Sequence, residues 1–325
     1  MAVTVTARRF AGASPPVDRS ALVYGVSNYV PTVAGDTVGV PAGASLTPVA
    51  AASVLPTSTG NVSPSPSGFW NITTPDTVVD LVDVYGCIKV STTGVTIKRS
   101  RLRGRPSNAG APLGTYLPIV DASSSAVGAG GFIVEDCTIW ADSPGWQQYG
   151  IKGKAKVYAY RNHIGNVTDA FQMYEGGLDA RGNLIESLYR VADPNQADGF
   201  THNDGLQYQG GGGAVTLIGN HFNITVTPWT LRSLLCVLLT SDVGTPASTV
   251  LIDDNRFEGG SIPINAATTP STSFSLTDNQ IRLGQRDYGS SLFYHVIATT
   301  TTQGMWTQTG NTDYPGGGAI VIANG

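Results

Sequence analysis

Hydrophobic and polar positions recur along this chain in one formula: apolar, any, apolar, any, any, Asn, any, apolar. Anchored on the Asn it reads Val157, Ala159, Asn162, Ile164; Leu178, Ala180, Asn183, Ile185; Val215, Leu217, Asn220, Phe222; Val250, Ile252, Asn255, Phe257; and Phe274, Leu276, Asn279, Ile281. Two earlier copies keep the apolar positions but carry Ser100 and Cys137 at the anchor, and a degenerate last copy has Trp306 and Asn311 with Gln308 and Asp313 at apolar positions. Alternation with period two before the anchor predicts a strand buried on one face, and the apolar residue two positions after it predicts that the chain turns a corner there. Asn suits such a corner because it tolerates the left-handed backbone region and its amide can bond a neighbouring backbone group. Successive anchors lie 21 to 37 residues apart. That variability predicts stacked coils with insertions on one side, each burying its apolar face only against its neighbours.

A second short apolar strand precedes each anchor pattern: Cys87–Val90, Ile151–Gly153, Phe171–Tyr174, Leu206–Gln209, Cys236–Leu239, Ile262–Ile264 and His295–Ile297. With these two patterns the chain resembles the right-handed parallel β-helix proteins, which include pectin-degrading enzymes, other polysaccharide lyases and hydrolases, and many bacteriophage tailspikes. The resemblance covers residues 71–325 and implies an all-β fold, a single-stranded right-handed parallel β-helix of about eight coils. The rival architecture is an antiparallel β-sandwich, which would not require Asn at a fixed offset in successive units. One fold hosts many activities, so the resemblance speaks to fold before function.

Residues 1–70 differ in character. Pro15, Pro16, Pro41, Pro48, Pro56, Pro64 and Pro66 interrupt short apolar runs, which argues against central strands and for an extended segment that caps the β-helix or attaches it to another protein. Phe69 and Trp70 are placed to seal the bottom of the core, and the run Gly316–Ala323 reads as a last strand or as an arm on a sister chain.

Composition narrows the partners. Only 13% of residues are charged, about half the level of ordinary domains, and 40 Gly with 19 Pro suit a chain that turns every few residues. A net charge of −4 gives no basic footprint for nucleic acid. Cys87, Cys137 and Cys236 are too few and too scattered for a disulfide framework or a zinc site, and Cys137 reads as a small buried thiol. Met1–Phe10 lacks the apolar stretch of a secretory signal, and Leu231–Leu239 is too short to span a bilayer. The β-helix proteins that the chain resembles meet glycans outside the cell. A virion protein released by lysis reconciles that with the missing signal.

Candidate chemistry concentrates in residues 146–211. Aligning the first strands places Tyr149–Lys152 over Asp169–Gln172 and that over Asp204–Gln207, so that Lys152, Gln172 and Gln207 form an outward polar row while Asp169 and Asp204 stack where their strands begin. At about 4.8 Å between coils, the two carboxylates fall on the order of 5 Å apart, the spacing of acid and nucleophile in retaining glycosidases. Such stacking raises one pKa, as a general acid requires. Asp169, Asp204 and His202 are therefore the candidate catalytic residues, and Trp146, Lys152, Gln172, Tyr174, Glu175, Asp198, Gln207 and Tyr208 the candidate glycan contacts, with Asp179 nearby. The segment Asp198–Gln207 resembles the Asn-Thr-Asp-Gly coil of polygalacturonases, but the Asp-Asp, Gly-His-Gly and Arg-Ile-Lys elements of that family are missing. A lyase resembling pectate lyases would need a catalytic Arg or Lys, and only Lys152 and Lys154 are near. The simpler reading of Asp169 and Asp204 is that each bonds its own turn. His163 and His221 occupy equivalent anchor positions with one coil between them, too far apart to share a metal, and no cofactor is called for.

Two further features point to assembly. Arg99, Arg101, Arg103 and Arg105 alternate with smaller residues, which places a basic face on an early coil, either solvated and protecting an exposed edge or in contact with another subunit. The apolar run Trp229–Leu239 exceeds what one inward face buries, so its surplus is expected against a neighbouring chain. The resemblance to tailspikes makes that assembly a homotrimer within a virion, contacting host-surface polysaccharide. The competing functions are a glycan-cleaving hydrolase or lyase and a purely structural virion component.

Overall fold

The computed structural model describes residues 38–49, 55–56, 61–62, 69–104, 117–142, 147–197, 199–224, 234–260, 262–266, 273–282, 296–298, 306–314 and 316–320. Within them the chain is all-β and builds three parallel sheets. The first stacks Phe69–Ile72, Cys87–Val90, Leu117–Ala122, Gln148–Gly153, Phe171–Met173, Asn203–Tyr208, Leu234–Leu239, Ile262–Ala266 and Val296–Ala298 in chain order. The second stacks Val78–Asp80, Thr96–Lys98, Phe132–Glu135, Val157–Tyr160, Leu178–Arg181, Val215–Ile218, Thr249–Asp253, Ser273–Thr277 and Trp306–Thr309. The third runs from Thr47–Val49 through Val82–Val84, Arg101–Leu102, Thr138–Trp140, His163–Gly165, Leu184–Glu186, His221–Ile224, Arg256–Gly259 and Gln280–Ile281 to Thr312–Asp313. The chain visits the three sheets in turn and returns to the first, a topology compatible with a parallel β-helix and not with an antiparallel sandwich. Among the described residues, no helix is long and apolar enough to cross a membrane.

The anchor pattern is the corner between the second and third sheets. Asn162, Asn183, Asn220, Asn255, Asn279 and Asn311 stand one above another, at most 6% exposed. Each amide oxygen accepts the backbone N–H of the residue one coil earlier, as Asn220 does from Asn183 at 3.0 Å and Asn255 from Asn220 at 2.9 Å. Each amide nitrogen donates to the carbonyl three residues before that earlier anchor: Asn183 to Ala159, Asn220 to Ala180, Asn255 to Leu217, all at 2.9 Å. The side chain thus satisfies a buried donor and a buried acceptor that no water reaches. Ser100 takes over the acceptor role for the Val82 N–H at 3.2 Å, and the Cys137 thiol stands 3.7 Å from the equivalent carbonyl of Ile97.

The left-handed residue is not the Asn, contrary to the sequence expectation. It is the residue just before: Arg161, Gly182, Gly219, Asp254, Asp278 and Gly310 have φ between 53° and 70°. Placing the kink one residue earlier leaves the Asn amide aimed along the stack, and selects Gly or Asp at the kink. Arg161, like Arg99 before the Ser100 anchor with φ 46°, is neither Gly nor Asp. Its guanidinium is held by Asp136 at 2.6 and 2.7 Å and Glu135 at 3.2 Å, both on the preceding coil.

Inside the sheets the alternating apolar residues form one continuous core, with Val157, Leu178, Val215 and Val250 aligned in the second sheet and Ile164, Ile185, Phe222 and Phe257 in the third. The Phe222 and Phe257 rings stack at 5.2 Å. Trp70 is buried at the outermost strand of the first sheet, against Gly86, where a Cβ would collide with its ring. Part of the Pro-rich segment joins the stack: Thr47–Val49 pairs in parallel with Val82–Val84, and the Gly39 N–H reaches the Arg161 carbonyl at 2.6 Å. At the far end 316–320 folds back, with Ala319 bridging Thr312 antiparallel and the Ile320 N–H bonded to the Asn311 carbonyl.

One expectation is corrected. The arginine-bearing coil is not an exposed edge, because Arg101–Leu102 pairs with Val82–Val84 on one side and Thr138–Trp140 on the other. Its arginines lie against acids instead: Arg99 is bonded to Asp80, and Arg103 to Asp83 at 2.5 Å and Asp142 at 3.0 Å. Arg105 lies outside the described residues. In Leu234–Leu239, Leu235, Cys236, Val237 and Leu239 are buried within the chain itself and Leu238 is half-buried; residues 229–233 lie outside the described residues. Cys236 and Val237 both belong to the continuous core, where the register pairs Asp204 with Leu235 and Leu206 with Val237.

Replacing Asn220 with Ala removes the partners of the buried Asn183 N–H and Ala180 carbonyl, and is expected to lower stability by about 3 kcal/mol in urea unfolding. Thr216→Ala, on the half-exposed face of the same coil, is expected to stay within about 0.5 kcal/mol. Equal effects would show that the corner ladder carries no special share of stability.

Candidate functional site

The register of the first sheet brings the predicted polar row together. Lys152, Gln172 and Gln207 are paired in successive strands, one residue after the aligned core residues Ile151, Phe171 and Leu206. Asp121 precedes Lys152 in the row and Leu238 follows Gln207. Gln172 donates to the Gln207 carbonyl at 3.4 Å and is only 5% exposed, its own amide oxygen having no hydrogen-bond partner. The Lys152 ammonium lies between two rings, 5.8 Å from the centroid of Tyr149 and 5.7 Å from that of Tyr174. Tyr149 is buried and Tyr174 half-buried.

Asp169 and Asp204 also meet. The Asp204 backbone N–H donates to Asp169 Oδ1 at 2.9 Å, so adjacent coils are linked through the carboxylate. They are 4% and 2% exposed, and Asp204 Oδ1 has no hydrogen-bond partner. Burial pushes Asp169 up from 3.8 to about 7, partly offset by that N–H. Burial, and then the charge of Asp169, push Asp204 well above the ordinary carboxylate range, against the Leu235 N–H. Burial and the Asp169 charge also raise the Tyr174 hydroxyl. The pair therefore keeps a proton near neutrality. That is the electrostatic condition for a general acid, met at carboxyls that the folded chain closes off from a polymer.

The segment between the third-sheet strand Leu184–Glu186 and the first-sheet strand Asn203–Tyr208 forms a two-armed excursion across the start of these strands. Ala192 bridges Phe200 antiparallel, the Thr201 N–H bonds the Val191 carbonyl, and the Asp193 N–H bonds the Gly199 carbonyl, each of the latter at 2.9 Å. It is tied down through Tyr189 N–H to the Val167 carbonyl at 3.0 Å, Gln147 Nε2 to the Ala192 carbonyl at 3.3 Å, and the Asn203 amide to the Tyr189 carbonyl. Thr201 and Asn203 turn inward while His202, between them, is exposed, facing away from its buried neighbours. His202 is therefore exposed whereas Asp169 and Asp204 are buried.

Tyr208 also departs from its expected role. It is fully buried with its hydroxyl on the Gly213 carbonyl at 3.1 Å, because it alternates with Gln207 and so points into the core. Glu175 is exposed and sits 3.6 Å from Lys154. Trp146, Asp198 and His295 lie outside the described residues. Asp179 is engaged on its own strand by Arg181, at 2.6 and 2.9 Å.

Two features were not predicted. His163 and His221, separated in register by Leu184, each close on a glutamate of the next coil, Glu186 and Glu258, both at 2.8 Å. Burial would raise Glu258, but His221 and Arg256 outweigh it and hold it below its ordinary value. The sequence signal was available: His one residue and Glu three residues after successive anchors. Among the described residues, no group of three His, Cys, Asp or Glu is placed to hold a metal. The second feature is a groove of about 880 Å³ over the corner between the first and second sheets, beside Lys154, Lys156, Tyr158 and Glu175 and rimmed by the Ser123–Ser125 turn. Its rim comes from chain between strands, where the coil pattern is silent. Compared with known proteins, the chain matches no family model, no curated protein and no solved structure.

The raised carboxyl pair has a signed pH consequence. A group whose pKa is higher folded than unfolded contributes stability that is complete below the unfolded value and is lost as pH rises to the folded one. For Asp169 that window runs from about pH 4 to about pH 7. The wild-type melting temperature is therefore expected to carry a falling component between about pH 4 and about pH 7, which Asp204→Asn reduces by removing one buried charge. Parallel pH profiles for the two proteins would overturn this.

Proposed function

We propose that this protein is a virion surface protein of the bacteriophage tailspike type, a right-handed single-chain β-helix of about eight coils that assembles as a homotrimer with other virion proteins and contacts host-surface glycans. The observation that carries the reading is the polar row on the parallel stack, with Lys152 near the rings of Tyr149 and Tyr174, Gln172 beside it and Gln207 one coil further on. Parallel coils repeat at about 4.8 Å, so the row offers a rigid ladder of donors and acceptors to an extended polymer with little ordering cost. Amphipathic rings beside amides and an ammonium suit sugars, which present apolar ring faces and hydroxyl edges together. The low charge density fits a partner recognised through hydrogen bonds more than through long-range charge.

Glycan cleavage is the second reading, favoured by one observation: Asp169 is pushed to about 7, where a carboxyl can give up a proton at neutral pH. Against it stands the closure of both carboxyls. Cleavage would require the excursion over residues 188–202 to open.

Incubation with purified host-type cell-wall polysaccharide separates these readings. Binding without shortening of the polymer is expected, with Lys152→Ala and Tyr174→Ala each weakening it about tenfold or less, an effect of about 1 kcal/mol. Shortened product from wild type that Asp169→Asn abolishes would establish the enzyme instead, and neither binding nor cleavage would leave a structural virion component. A monomer by light scattering would sink the trimer.

A further inference from the structure

Resting on the glycan-contact reading, we propose that the groove between the first and second sheets takes an acidic stretch of polysaccharide, with a sugar carboxylate seated between Lys154 and Lys156. The groove is built from several consecutive coils. The Ser123–Ser125 turn with Gly128 and Ala129 forms one rim, Lys154–Tyr158 the floor, and Gly176 and Ala214 the far side. With three coil spacings from the 117–122 coil to the 203–208 coil, it is about 15 Å long, long enough for a polymer segment lying along the stack.

Its charge runs against that of the chain. The whole protein carries −4, yet the groove holds Lys154, Lys156 and the single acid Glu175. Glu175 lies 3.6 Å from Lys154 and offsets one cation, leaving a net positive floor. Lys156 is only half-exposed and bonds the Ala214 carbonyl at 3.2 Å. An ammonium has three donors, and that neutral carbonyl offers no countercharge. Burial holds the Lys156 ammonium below the usual lysine value, with Asp179 raising it and Arg181 lowering it. Asp179 is itself gripped by Arg181 at 2.6 Å. An incoming carboxylate would supply the missing countercharge, and the Tyr158 ring, 6.0 Å from Lys156 Nζ, gives an apolar wall for the sugar face.

The test uses the full chain with polygalacturonate, alginate and hyaluronan as acidic probes and dextran and amylose as neutral ones, titrated at 20 and 200 mM NaCl. At least one acidic polymer is expected to bind ten times or more tightly than the neutral ones, and more weakly at high salt. Lys156→Gln should reduce that binding about tenfold. Ala129→Glu, on the exposed rim, should do the same with an unchanged melting temperature, so that loss of binding is not loss of fold. Polysaccharide binding that ignores both salt and Ala129→Glu would overturn the acidic-groove inference while leaving the glycan-contact reading standing. Failure of every polysaccharide, host-type cell wall included, would overturn both.

Discussion

The corner between the second and third sheets imposes the constraint on which the rest depends. At every coil the chain turns there inside the core, where backbone N–H and carbonyl groups have no access to water and leaving one without a partner costs on the order of 1–3 kcal/mol. The amide of Asn meets this because it carries one acceptor and one donor group on a short stem. From Asn162 to Asn311 the oxygen takes the earlier coil's N–H, and the nitrogen serves the carbonyl three residues upstream of that anchor. Each coil is thereby fixed in register to the one before it, and the apolar columns of all three sheets inherit that register.

The same ladder principle appears with a different chemical sign in the first sheet. Asp169 accepts the N–H of Asp204 on the next coil, whereas an anchor Asn accepts from the coil before, and a carboxylate brings charge into a dry place. Two such groups in neighbouring coils cannot both ionise cheaply, so burial and mutual repulsion retain a proton near neutrality. The arrangement thus joins a structural role with the acid–base poise of a catalytic pair. Access distinguishes the two, and both carboxyls are buried. The His221–Glu258–Arg256 cluster shows the contrast: there a half-buried carboxylate bonded to His221 and Arg256 is held below its ordinary value.

Variation between coils accumulates away from the ladder. The third corner is fixed by the Asn stack, whereas the chain between the first and second sheets and that between the third and first vary in length from coil to coil. Those connections supply the rim of the lysine-bearing groove and the bridged excursion between Leu188 and Thr201. The stacked coils are the regular part of the structure, and the variable turns are its individual part.

The sequence by itself determined the repeat, the strand pair of each coil and the alignment of Lys152 with Gln172 and Gln207 and of Asp169 with Asp204. Those depend on period-two alternation and a fixed Asn offset, which are local and leave a direct trace in residue order. It misassigned the left-handed residue at the corner, because Gly, Asp and Arg share that position and the conspicuous Asn stands next to it. Only the tertiary structure decided that Tyr208 points inward, that His202 is exposed while Asp169 and Asp204 are buried, that Leu235, Cys236 and Val237 are all buried, and that the arginine-bearing coil is internal and ion-paired. Those outcomes depend on neighbours tens of residues away. Burial is a property of what covers a residue, and residue order does not record what the covering segment does.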